Sequence, residues 1–135
     1  MNISKYIGIP FKDKGRTVEG LDCWGLLYLI FKEQFGIEIP SFVDDYPTST
    51  NLKAVGALIE QNSHTWINIE QDVQKAGDVL LMRFFGHPVH VGILIDKRRM
   101  IHVLKGRNTC LQKIDQTMWQ SRILGTYRHP SLVNI

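Results

Sequence analysis

Five short apolar runs follow one another between Val79 and Arg128, and a single helical stripe precedes them. The runs are Val79 to Phe85, His90 to Ile95, Met100 to Leu104, Thr109 to Ile114 and Ile123 to Arg128, rich in β-branched or aromatic residues and parted by turn signals. That spacing predicts a meandering antiparallel sheet. Upstream, Cys23, Leu26, Leu27, Ile30 and Phe31 recur at helical intervals on one face, with Asp22 where an N-cap belongs and Gly36 where the helix should stop. A second helix is expected from about Asn51 to Gln61, with Leu52, Val55 and Ile59 on its apolar face. Pro40 to Thr50 reads as a loop, Gln116 to Ser121 as a short helical turn carrying Trp119 into the core, and residues 1–20 as irregular. Helices first and strands afterward define an α+β fold, the Cys23 helix packed on one face of a sheet of about five or six strands.

With 135 residues the chain reads as one domain, 1–135. Hydrophobic residues at 44% and charged residues at 21% exclude neither an enzyme nor a binding module, but they argue against membrane insertion and against disorder. The net charge of +3 is scattered, and its densest cluster, Lys97-Arg98-Arg99, is a solvated turn, so no nucleic-acid partner is expected. Met1 to Lys5 lacks a secretory pattern, so synthesis in the cytoplasm without a cleaved export signal is the expectation.

Of the two cysteines, Cys23 falls in the first turn of its helix, where free N–H groups and the macrodipole should lower a thiol pKa. Cys110, in a presumed strand, reads as a core thiol. His90 and His102 open and occupy successive runs across a turn at Asp96 to Arg99, and an even register brings both rings to one sheet face beneath the Cys23 helix. Nucleophile, base and orienter are the constellation that covalent acyl transfer needs. The geometry expected is Cys23 at the helix start with its sulfur facing His90 across a cleft, His102 behind that ring, and Trp24 bordering the cleft. His87 is expected on a loop rimming the site, His64 and His129 on the surface, and Asp78 as a turn former.

The segments Gly20-Leu-Asp-Cys-Trp-Gly-Leu26, Ala76-Gly-Asp-Val79, His90-Val-Gly-Ile93 and Met100-Ile-His-Val103 resemble the ordered blocks of NlpC/P60 cysteine peptidases, from about Tyr6 to Arg128. The resemblance implies a papain-like NlpC/P60 fold with Cys23 as nucleophile, His90 as general base and His102 as its orienter, and no cofactor or metal. It implies peptidoglycan stem peptides as substrate, cut between D-glutamate and a diamino acid. Asp22 would support the helix start, and Asp22, Trp24, Phe11 and His87 would meet substrate. Trp24 stands where a Ser commonly follows the nucleophile, Phe11 where a Tyr commonly supplies a hydroxyl, and Ala76 where a Pro commonly stands. Asp22-Cys-Trp-Gly-Leu26, Gly15-Arg16 and Gly125-Thr-Tyr-Arg128 are similar to the branch found in phage tail assembly and tail-tip proteins. That branch implies a virion setting, with other tail proteins as partners. Two other readings of the same residues are a tail module that keeps the fold without turnover, and a zinc site of Cys23, His90 and His102.

Overall fold

The computed structural model describes residues 1–49 and 51–133; Thr50, at the end of the expected loop, and residues 134 and 135 lie outside that description. Two short strands, β1 (Arg16–Thr17) and β2 (Gly20–Leu21), form a hairpin that leads into helix α1 (Cys23–Ile30). Asp22 caps α1 by accepting a hydrogen bond from Gly25 N at 2.8 Å. The helix continues through a wider π-helical turn, Phe31–Phe35, and stops at Gly36, whose φ of 65° is the left-handed conformation a glycine adopts without strain. Helix α2 (Leu52–Ser63) is capped by the Asn51 side chain on Ala54 N.

The remaining strands are β3 (Ile67–Ile69), β4 (Val79–Phe84), β5 (His87–Leu94), β6 (Arg99–His102), β7 (Cys110–Lys113) and β8 (Ile123–Arg128), with a turn of helix, α3 (Thr117–Gln120), before β8. They form one six-stranded sheet in the order β3-β8-β4-β5-β6-β7, every pairing antiparallel. The sheet is therefore not the simple meander expected: β4 to β7 run as one, but β8 crosses back to lie between β3 and β4. The N-terminal segment is less irregular than expected. Gly8 N donates to Thr109 O, Thr109 N to Ile9 O and Phe11 N to Arg107 O, which ties residues 8–11 to the loop before β7.

Side-chain alternation divides the core between the two faces of the sheet. Val79, Leu81, Val89, Val91, Ile93, Ile101 and Val103 meet α1 and α2 on one face. Leu80, Met82, Leu94 and Met100 meet Ile114 and Trp119 on the other. Asp78 accepts from Lys75 N as a turn former does, and it also pairs with Arg128 at 2.7 Å, locking the start of β4 to the end of β8. Cys110 is exposed because β7 is an edge strand, which corrects its reading as a core thiol. His64 is exposed, whereas His129 is not a free surface group: its ring packs on Trp66 at 5.1 Å and Phe31 at 5.9 Å.

Candidate active site

A three-residue turn sets the register of the two histidines. Ile95 N donates to Arg99 O at 3.0 Å, and Asp96 closes the turn by accepting from Arg98 N and Arg99 N. Ile93 then faces Ile101 and Leu94 faces Met100, which carries Gly92 opposite His102 and leaves His90 diagonal to it on the same face. Gly92 makes the room. A Cβ there would lie 2.6 Å from Met100 Sδ and 3.4 Å from His102 Cβ.

The rings meet at His90 Nε2 and His102 Nδ1, 2.8 Å apart. Phe84 stands edge-on to His90 and Trp119 edge-on to His102, each with ring centres 5.1 Å apart. Both histidines are buried, at 4% and 2% exposure. Burial pushes His90 well below the ordinary imidazole value, with the nearby His102 and Arg122 acting the same way. His102 is pushed down to about 4, by burial first and Arg107 second. Both imidazoles are therefore neutral at pH 7, and one nitrogen of the contact must carry the hydrogen. If His90 is to accept a proton at Nδ1, its Nε2 donates to His102 Nδ1.

Cys23 opens α1 beside this pair, but its thiol is not bonded to an imidazole. Sγ donates to Val89 O at 3.6 Å, so the sulfur rests on the β5 backbone next to His90. The expected placement beneath the helix needs correction. Alternation gives Val89 and Val91 to the face that α1 covers and His90 to the opposite face, so thiol and ring approach from two sides of one strand. They share a cleft where the β4–β5 register shifts between Met82 and Arg83. The thiol pKa is pushed up to about 12, chiefly by burial and next by the Asp22 charge. These outweigh the first-turn position, which alone would lower it.

The cleft encloses a cavity of about 300 Å³ lined by Cys23 and His90 together with Phe11 and Trp24. The Trp24 ring borders it as expected, with Nε1 donating to Pro40 O at 2.7 Å and the ring 5.2 Å from that of Phe42. His87 does not rim it: the residue belongs to β5, pairs across the hairpin with Phe84, and stands outside the lining. Asp22 lines the cavity but is 2% exposed, and four donors occupy its oxygens: Gly25 N and Arg16 Nη1 (2.7 Å) on Oδ1, Lys14 N (3.1 Å) and Tyr46 Oη on Oδ2. Arg16 further donates to Ser41 O and Tyr46 Oη. Neither Tyr46 nor the pairing of Arg16 with Asp22 was anticipated. Tyr46 sits in an irregular segment with no periodicity to place it. Among the described residues no set of three or more His, Cys, Asp or Glu is arranged to hold a metal ion, so the zinc reading lacks a ligand set.

An α+β domain with a cysteine-bearing helix on an antiparallel sheet, and two hydrogen-bonded histidines on the adjoining strands, defines a narrow class. The NlpC/P60 family profile matches residues 8–128, and the chain belongs to that family. Murein DD-endopeptidase MepS/Murein LD-carboxypeptidase of Escherichia coli (strain K12) is 24% identical over 115 residues, 85% of this chain and 53% of that protein. Gamma-DL-glutamyl hydrolase of Bacillus subtilis (strain 168) is 28% identical over 134 residues, 95% of this chain and 28% of that one. The chain thus spans about half or less of these relatives. Among solved structures, an NlpC/P60 family protein from Bacillus cereus ATCC 10987 superposes with a TM-score of 0.68 at 22% identity, covering 92% of this chain and 36% of that one. The NlpC/p60 domain of peptidoglycan hydrolase SagA gives 0.61 at 22% identity, covering 91% and 89%. No helix among the described residues is long and apolar enough to cross a membrane.

Proposed function

We propose that this chain is a cysteine peptidase domain, 1–135, that hydrolyses peptide bonds in bacterial cell-wall stem peptides. The observation that carries it is the His90–His102 hydrogen bond in a cleft that also holds the Cys23 thiol. In this reading His90 Nδ1 takes the thiol proton as Sγ attacks the scissile carbonyl, and His102 holds the ring and accepts from Nε2–H. His90 hands that proton to the amine, which leaves as the thioester forms. Water, giving a proton to His90, then attacks the thioester, and His90 returns the proton to Sγ as the acid is released. Burial raises the thiol and lowers the imidazole, which favours transfer of the proton to His90 as Sγ attacks.

The bond is that between D-glutamate and a diamino acid, and the setting a phage tail or prophage, where other tail proteins would be partners. The Asp22-Cys-Trp-Gly-Leu26 form supports the setting, and the two curated relatives support the substrate class through their names. A second reading, a tail module without turnover, is favoured by the thiol resting on Val89 O with a raised pKa. Digestion of purified wall peptides by wild type and Cys23→Ala, with products identified by mass, decides between them. Cleavage that depends on Cys23 supports the peptidase, and its location gives the bond; cleavage by neither protein leaves the tail module.

A further inference from the structure

The cavity beside Cys23 is almost without usable charge. Phe42, Leu52, Val55, Leu58 and Phe85 stand in its wall, and Lys105 is an exposed cation on its lining. The anion there, Asp22, is spoken for by Arg16 and three further donors and is nearly inaccessible. An ammonium entering this space would lose water and meet no free carboxylate, a desolvation that nothing offsets.

Backbone geometry marks the same place. Among the described residues, the non-glycine ones with positive φ are Lys14 (60°), Phe42 (57°) and Phe85 (51°). Lys14 donates its N–H to Asp22, and the other two line the cavity. Phe85 is 86% exposed at the β4–β5 hairpin tip, where burial gives no reason for a phenyl ring. Phe85 and Gly86 (φ 78°) are the two loop residues between paired Phe84 and His87, where a tight hairpin takes positive φ. A phenyl ring there, and Phe42 in the left-handed region outside any such hairpin, are features that a binding function retains.

We propose that this cavity seats an uncharged, apolar end of the substrate, so that a stem peptide with an acylated terminal amine is taken in preference to one ending in a free ammonium. The inference rests on the peptidase reading for its substrate. Its physical content, selection for a neutral apolar group beside Cys23, is separately measurable.

The test uses the Cys110→Ser chain, leaving Cys23 as its thiol, and three reagents: iodoacetamide, its N-hexyl derivative, and an N-(2-aminoethyl) derivative that carries an ammonium. Alkylation rates are normalised to those of glutathione at the same pH. The hexyl reagent should exceed the ammonium reagent by at least about tenfold, the scale on which a buried aliphatic chain acts. Leu52→Asp places a carboxylate in the wall at the first residue of α2, where an acid is tolerated, and should cut that ratio by about tenfold. Hydrolysis of one stem peptide with a free and with an acetylated amine should show the same order in kcat/KM. Equal rates for the two reagents, or a faster ammonium reagent, would overturn the inference even if peptides are cleaved. Discrimination among reagents without any hydrolysis would uphold the cavity's selectivity and sink the peptidase reading alone.

Discussion

His90 and His102 differ in what their removal leaves behind. His90→Ala deletes the group proposed to accept the thiol proton and should lower kcat by at least about 100-fold. His102→Ala leaves a base that can still sample the right tautomer, so the loss should be smaller. Both are measured on the same wall peptide, and equal or reversed losses would exchange the roles. These histidines were legible because each interrupts an apolar run at a position whose parity a short hairpin determines. Cys110 was misread for the same kind of reason in reverse. Its run has strand character, but nothing in four residues says that the strand lies on an edge. The Cys23 pKa was also misjudged, because helix position is visible in a sequence while burial and the orientation of Asp22 are not.

At the scale of elements, the start of α1 depends on one carboxylate. Asp22 caps the helix, pairs with Arg16, and joins Lys14 and Tyr46 to the same point. Asp22→Ala would strip the cap and leave the Arg16 guanidinium, itself only 11% exposed, without its counter-charge. The cost should be about 3–5 kcal/mol, that of breaking a buried pair from one side. Urea unfolding measures it, and a loss below about 1 kcal/mol, the cap alone, would show the network to be incidental. The helices and five of the strands followed from periodicity. Ile67–Ile69 did not, since three residues cannot display alternation. The place of β8 was equally invisible: nine residues separate Lys113 from Ile123, enough to turn back beside β7 or to span the roughly 19 Å past four strand spacings. The chain takes the second course, and in crossing it lays Trp119 against His102. The cover over the second histidine is thus a consequence of topology.

For the whole molecule, two buried neutral histidines tie folding to pH. Below the ordinary imidazole value of 6.5 the unfolded chain binds protons that the folded chain refuses, because His102 titrates only near 4 and His90 is also held well below its usual value. The unfolded state therefore carries more protons, so stability rises with pH through this window and is lost as pH falls from 6.5 toward 4. The His102 shift alone corresponds to about 3 kcal/mol, and His90 adds loss of the same sign. Asp13 and Asp96, lowered from 3.8, act in the same direction but only in more acid solution, which separates their effect from that of the histidines. Urea midpoints followed by tryptophan fluorescence between about pH 7.5 and 4.5 should fall steadily in the wild type. His102→Gln keeps a polar side chain in place without a titrating ring and should flatten much of that slope. A wild-type midpoint that does not change across this range would mean that the imidazole pair is accessible to protons in the folded state, and with it the neutral-base description of His90 would fail.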